Sequence, residues 1–285
     1  MSSKKQAPDA HDSKATAFEK PSTWNNAADD YLQFADTTIK YGIDALEILG
    51  VSPGDKMLDV ATGPGHLALY AASEKDAAVD AIDFASHNIE ILQRSLQSHP
   101  LDVTGHVMDG QQLGFPDNHF NVVSSCFGVF AFPDYMKGLS EMLRVLKPGG
   151  KAAVVAWADM HRAVMRPWMQ LFQKHFPEVL PLPMPPGITK MSTMEGMQSV
   201  LTAAGFDEVA VSEVTHAVRV ADAKVFADLD MQNPVLGIVQ ERLAHERCSE
   251  LVPRFIQLLE SEYTQGEIIA FDAVAVIGIG CKPVP

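Results

Sequence analysis

Apolar positions recur along this chain with two different periods, and the order in which the periods alternate predicts an architecture. From Trp24 the residues Trp24, Ala27, Ala28, Tyr31 and Phe34 or Ala35 fall three and four apart, one face of a helix. A second helix carrying Ile43, Leu46, Ile48 and Leu49 runs to the turn Ser52-Pro-Gly-Asp55. Then come the strand Met57-Leu-Asp-Val60, the glycine turn 61–65 and an apolar helix start at Leu67-Ala-Leu-Tyr-Ala-Ala72. Strand 77–83, helix 88–96, strand 103–108, strand 121–126, helix 135–146 and strand 151–157 follow, the last one after Lys147-Pro-Gly-Gly150. Strands this apolar leave no wet face, so their alternation with helices predicts a parallel sheet covered on both sides.

Beyond Trp157 the regularity lapses. Residues 160–197 hold a helix around Trp168, Phe172 and Phe176, the prolines Pro177, Pro181, Pro183, Pro185 and Pro186, and seven of the thirteen methionines. Flexible thioethers suit either an adaptable substrate pocket or an irregular core patch. Helix 192–204, strand 209–220 and a helical insertion over 222–263 lead to a last strand, 268–281, expected to close the sheet as an antiparallel edge. Residues 1–20 have few large apolar side chains and no period, so they are expected to be a disordered tail ahead of a single domain, 21–285. The two N-terminal helices (21–50) either pack on that domain or act as a lid whose aromatics, Tyr31 above all, close over a ligand.

Composition narrows the function. With 285 residues and 47% apolar content the chain can fill a sizeable core. Acids outnumber bases 36 to 22, and a formal charge of −14 without a basic patch disfavours nucleic acid and anionic lipid. No apolar run is long enough for a membrane span, and the polar N-terminus is unlike a signal peptide, so a cytoplasmic location is expected. Cys126, Cys248 and Cys281 match neither a disulfide framework nor a metal-ligand spacing, so no metal is expected.

The candidate chemistry lies at the ends of the strands. Gly63 and Gly65 permit a sharp turn and the close approach of a ligand, and the helix after them offers unpaired N–H groups. Asp83 follows Gly63 by 20 residues, the separation at which an acid after the second strand of a doubly wound sheet meets a ribose. Gly63, Asp83, Asp109 and Phe127 each stand just after a strand and should converge on one edge. Gly63-Pro-Gly-His-Leu-Ala68 also satisfies the dinucleotide fingerprint, which keeps an NAD(P)-dependent oxidoreductase as an alternative. Against it stands Asp59, an acid inside the strand, which must either cap nearby donors or face a cation or amine.

LDVATGPG at 58–65, Asp83, DGQQLGFPDNHFNVV at 109–123 and LRVLKPGG at 143–150 together resemble the class I S-adenosylmethionine-dependent methyltransferases. Within them the likeness is to the ubiquinone/menaquinone-biosynthesis type (methyltransferase type 11) and its small-molecule relatives. The resemblance implies a Rossmann-like, seven-stranded, mostly parallel sheet with an antiparallel last strand, N-terminal lid helices, a cofactor-binding core over 51–157 and substrate-side helical elements at 158–205 and 222–263. It implies S-adenosylmethionine as cofactor: Asp59 and the turn from Ala61 through Gly63 to Gly65 at its methionine end, Asp83 on the ribose hydroxyls and Asp109 on the adenine amino group. Phe84 and Gly110 would stand beside those acids, Cys126 and Phe127 would flank the methionine moiety, and Tyr31 would close over them. His66 replaces a commoner small polar residue and is read as a local substitution.

Methyl transfer to a small, partly apolar or aromatic acceptor by in-line displacement is therefore expected, with a non-catalytic cofactor-binding protein as a further alternative. Alignment and exclusion of water supply most of such catalysis, so a protein base is optional. His161, after the fifth strand, is the best-placed histidine for one; a surface histidine is the plainer alternative. No motif names the acceptor or the oligomeric state.

Overall fold

The computed structural model describes residues 18, 20–231 and 233–285, with only the backbone of residues 27, 29–36 and 229. Its strands are β1 (Lys56–Val60), β2 (Ala78–Asp83), β3 (Val103–Val107), β4 (Phe120–Cys126), β5 (Leu146–Trp157), β6 (Asp207–Val220), β7 (Thr264–Gln265) and β8 (Ile268–Cys281). Seven of them form one sheet in the order β3-β2-β1-β4-β5-β8-β6, and the two-residue β7 makes a stub hairpin with β8. Neighbours from β3 to β5 are parallel, whereas β8 runs antiparallel to both β5 and β6. The expected antiparallel strand is thus inserted inside the sheet, and β6 forms the edge.

The helices are α1 (Pro21–Leu49), α2 (His66–Lys75), α3 (Ser86–Ser98), α4 (Tyr135–Val145), α5 (Arg166–His175), α6 (Pro186–Met191), α7 (Met194–Ala203), α8 (Ala223–Asp230), α9 (Pro234–Arg242) and α10 (His245–Glu262). The two N-terminal helices expected from periodicity are one. Between Phe34 and Ile43 no proline intervenes and only Gly42 weakens the helix, so α1 continues for 29 residues. Gly42 is needed for packing, since a Cβ there would lie 2.9 Å from Leu67 Cδ1 and 3.3 Å from Cys126 Sγ. Pro21 opens α1, and Gly50 ends it with φ 70°, donating its N–H to the carbonyls of Leu46 and Glu47.

Side-chain alternation divides the core between the two faces of the sheet. Leu58, Val60, Val123, Ala152 and Val154 pack on one face with Leu139 and Met142 of α4 and with Trp168 and Phe172 of α5. Met57, Val122, Ala153 and Val155 pack on the other with Tyr41 and Leu46 of α1 and Leu67 of α2. Asp59 falls by parity on the α1–α2 face, opposite Ser124 in the β1–β4 register.

In the helical half, the Trp168 ring stacks on Phe255 of α10 with centroids 3.6 Å apart and planes 10° apart. Met165, Met169, Met191 and Met197 are buried in the same core. The proline cluster, expected as an irregular stretch, contains α6, opened by Pro186 at its first position. Residues 1–17 and 19 of the expected tail lie outside the described residues, but Phe18, counted in that tail, is only 7% exposed. Its ring rests 6.2 Å from that of Trp24, an apolar contact too local for periodicity to reveal. Among the described residues no helix is long and apolar enough to cross a membrane.

Candidate functional site

Four turns at the carboxyl ends of β1 to β4 open on one cavity of about 240 Å³, where the strand order reverses between β1 and β4. Ala61 and Gly63 reach it from the first turn, Asp83 and Phe84 from the second, Asp109 and Gly110 from the third, and Cys126 and Phe127 from the fourth.

Backbone conformation explains the first turn. Ala61 and Gly63 both have φ 56° and Gly65 has φ 90°, the left-handed region. A Cβ on Gly63 would meet no atom within 4 Å, so the missing side chain leaves open space along the cavity. At Gly65 a Cβ would fall 2.5 Å from Leu92 Cδ1; this glycine serves the packing of α2 on α3 and does not line the cavity. Ala61 keeps its methyl because Gly128 yields: a Cβ at 128 would come within 2.5 Å of it.

Asp59 lies beneath this turn and is 1% exposed. One carboxylate oxygen accepts from Thr62 Oγ1 at 2.7 Å and the other from Ser124 Oγ at 2.8 Å. Burial pushes its pKa up to about 6, against the opposing effect of those two hydroxyls. It does not line the cavity, and of the two alternatives left open by the sequence, the structure has it bonding nearby donors.

Asp83, 5% exposed, accepts from Gly63 N and Ala85 N at 2.9 Å each, and burial raises its pKa. It therefore ties the glycine turn to the N-terminus of α3 and still lines the cavity. Beside it Asn88, also 5% exposed, has a buried Oδ1 without a hydrogen-bond partner among the described residues. Asp109 is exposed, and its Oδ1 accepts from Gln111 N at 2.9 Å and Gln111 Nε2 at 3.2 Å. Phe127, with φ 58°, stacks on Trp157 at 4.1 Å, and burial raises the thiol pKa of Cys126 next to it.

Two expectations end differently. The Tyr31 side chain lies outside the described residues. His161 stands in an exposed turn, its N–H bonded to Asp159 Oδ1 at 3.0 Å, and does not line the cavity. After Trp157 the chain enters that turn, and His161 is not among the residues facing the switch point. The imidazole at the cavity is His66, the first residue of α2.

The cavity has a second wall, to which the N-terminal helical segment around Trp24 contributes together with Phe18, Phe132 and Pro133, which sequence patterns did not mark. Phe18, Trp24, Thr38 and Ile39 form it from the N-terminal segment, and Phe132 and Pro133 from the turn before α4. Trp24 Nε1 donates to the carbonyl of Phe18 at 3.0 Å. Asn25 holds the segment down: its Oδ1 accepts from His87 N at 3.0 Å, replacing the side-chain cap that Ala85 cannot give α3. Among the described residues no lysine or arginine lines the cavity, and Asp83 and Asp109 are its acids. A phosphate-free ligand with hydroxyl and amino donors fits this set, whereas a pyrophosphate would meet carboxylates without a cation. The buried acceptor at Asn88 adds to the same polarity.

The protein family described as a methyltransferase domain matches residues 57–150. The demethylmenaquinone methyltransferase of Listeria welshimeri is 30% identical over 171 residues, covering 58% of this chain and 70% of the relative. The ubiquinone/menaquinone biosynthesis C-methyltransferase UbiE of Geobacter sulfurreducens is 26% identical over 207 residues, covering 65% of this chain and 80% of the relative. Among solved structures, the phosphoethanolamine N-methyltransferase 2 of Haemonchus contortus with phosphomonomethylethanolamine and S-adenosylhomocysteine superimposes with a TM-score of 0.54 at 19% identity. That match covers 86% of this chain and 52% of the other, and it speaks for the fold alone.

Proposed function

We propose, from the premise that this chain belongs to the class I S-adenosylmethionine-dependent methyltransferases of the ubiquinone/menaquinone-biosynthesis-like group, that its acceptor is a small, uncharged, apolar or aromatic molecule. The protein is a methyltransferase that uses S-adenosylmethionine and acts on a small molecule, and the nicotinamide alternative is not favoured. One observation carries the acceptor class: the acid-bearing floor of the cavity continues into a wall of Phe18, Trp24, Ile39 and Phe132, with no lysine or arginine among the described lining residues. Among those residues an anionic acceptor would meet only the His66 imidazole as a basic group.

In this reading Asp83 accepts from the ribose hydroxyls, with Phe84 beside it. Asp109 accepts from the adenine amino group, next to Gly110. The turn Ala61–Gly63 and the pair Cys126 and Phe127 surround the methionine end. Asp59 and Gly65 act through others: Asp59 sets the turn through Thr62, and Gly65 lets α2 approach α3. When bound, the cofactor supplies an activated methyl group on a sulfonium. The chain's own residues align the acceptor's lone pair behind that methyl and keep water out, which for an in-line displacement is most of the work. Phe127, fixed by Trp157 and Tyr41 at 4.1 and 5.6 Å, can offer the sulfonium an aromatic face worth about 1 kcal/mol. Soluble operation in the cytoplasm, without nucleic acid, fits the charge of −14.

Incubating the protein and S-adenosylmethionine with small phenols, quinols, amines and thiols, and reading mass gain, tests this. Gain of one methyl by uncharged aromatics, and none by their carboxylated or phosphorylated counterparts, is expected. Methylation confined to the anionic members would overturn the acceptor class. Cofactor binding without transfer across the panel would favour a non-catalytic binder.

A further inference from the structure

Asp109 reaches the cavity from an exposed turn, and an exposed carboxylate is a poor recognition element unless something fixes its orientation. We propose that Gln111 is that element: a positioning residue that orients Asp109 and so sets the selectivity of the site for an adenine amino group. The inference rests on the reading of Asp109 given above.

Gln111 holds Asp109 twice, by its backbone N–H at 2.9 Å and its side-chain Nε2 at 3.2 Å, both on Oδ1. Among the described residues the other oxygen, Oδ2, has only the same Nε2 at 3.5 Å, so the pair leaves one acceptor oxygen for a ligand donor. The amide has a single consistent orientation, because its Oε1 accepts from Asp134 N at 3.0 Å while its Nε2 faces the carboxylate. Asp134 is in turn the N-cap of α4, accepting from Lys137 N at 3.0 Å, and it directly follows Phe132 and Pro133 of the acceptor-side wall. Gln111 therefore stands between the adenine end and that wall.

The turn carrying both residues is clamped from below. Arg144 uses all five of its N–H groups: Nε and Nη2 on Glu141 at 2.7 and 2.8 Å, Nη2 on Leu113 O at 2.9 Å, and Nη1 on Phe115 O at 2.9 Å and Asp117 Oδ1 at 2.7 Å. Glu141 also accepts from Leu113 N at 2.8 Å. With the segment after Gln111 fixed this firmly, the remaining freedom near Asp109 is that of its own side chain, which the Gln111 amide removes.

Gln111→Glu separates the two bonds, since an oxygen remains for Asp134 N while the donor to Asp109 becomes a repelling carboxylate. Gln111→Met removes both at similar size. The measurement is the ratio of calorimetric dissociation constants for S-adenosylhomocysteine and S-inosylhomocysteine, in which a ring carbonyl replaces the amino group. A preference for the adenine form of about a hundredfold in the native protein should fall to about tenfold in both Gln111 variants and to near unity in Asp109→Asn. A role in folding alone would lower both affinities together and leave the ratio unmoved. A ratio that falls in Asp109→Asn and stays native in both Gln111 variants overturns the role of Gln111 and leaves that of Asp109 standing. A ratio unmoved in all three overturns the reading of Asp109 itself. A loss confined to the Gln111 variants makes Gln111 a direct contact and overturns its role as a positioner.

Discussion

The carboxyl edge of β1–β4 and the helical half built from α5 to α10 each contain an acid whose pKa desolvation raises to about 6, the buried Asp59 in the first and the half-buried Asp230 in the second. Asp59 spends its oxygens on Thr62 and Ser124 and thereby shapes a turn that lines a cavity. Asp230 accepts from Trp168 Nε1 at the foot of the Trp168–Phe255 stack and lines no part of that cavity. The perturbation is the same and the consequences differ, so a shifted carboxyl marks a site only where its partners face open space. The methionines teach the same lesson: those of the helical half that are buried fill its core, and the acceptor-side wall comes from Phe18, Trp24 and Phe132 instead.

The sharpest way to break this contrast is Trp168→Ala. A large, fully buried ring is lost and Asp230 loses its donor, so a stability loss of about 3–5 kcal/mol is expected by urea unfolding, with cofactor affinity changed less than about twofold. A comparable loss of affinity in the folded fraction would erase the division between the halves. Asp83→Ala acts the other way. Its two ribose hydrogen bonds in the proposed complex predict cofactor binding weaker by roughly 3 kcal/mol, about a hundredfold by calorimetry, and unchanged affinity would sink its assignment.

The smallest effect compares the two acids directly. Between the ordinary carboxylate value of 3.8 and about 6, the folded chain binds a proton at Asp59 and at Asp230 that the unfolded chain has released. Each therefore makes the fold less stable as pH rises through that window, by on the order of 1–3 kcal/mol, and the loss persists at neutral pH. Asp59→Asn and Asp230→Asn should each flatten the fall in unfolding free energy between pH 4 and pH 7, and Asp59→Asn alone should also weaken the cofactor. Slopes identical to the native protein in both variants would refute the linkage.

Local features were legible in the sequence because local chemistry causes them. Apolar strands, the Gly63–Gly65 turn and the spacing to Asp83 located the edge of the sheet and four of the residues that line its cavity, Gly63, Asp83, Asp109 and Phe127, and the family resemblance added Ala61, Phe84, Gly110 and Cys126. What escaped depends on contacts across the chain. Ser124 meets Asp59 only through the β1–β4 register, and Asn25 caps a helix whose His87 is 62 residues away. Phe18 was hidden in a polar segment, where a single aromatic has no period. Gln111 looked like one of two adjacent glutamines, and its bonds to Asp109 and to Asp134 N, together with its place in the cavity lining, distinguish it from Gln112. For His161 the plainer alternative, a surface histidine, matches the exposed turn in which it stands.

The position of β8 has a consequence for the order of folding. β6 is synthesised well before β8, yet β8 is its neighbour in the sheet, and α8 to α10 must be made in between. On a growing chain, β6 must wait for a partner whose arrival closes a long loop. The four parallel strands β1 to β4, whose turns form the cavity, need no such delay. The half that gathers the site can thus pair its strands while the other half is still being translated.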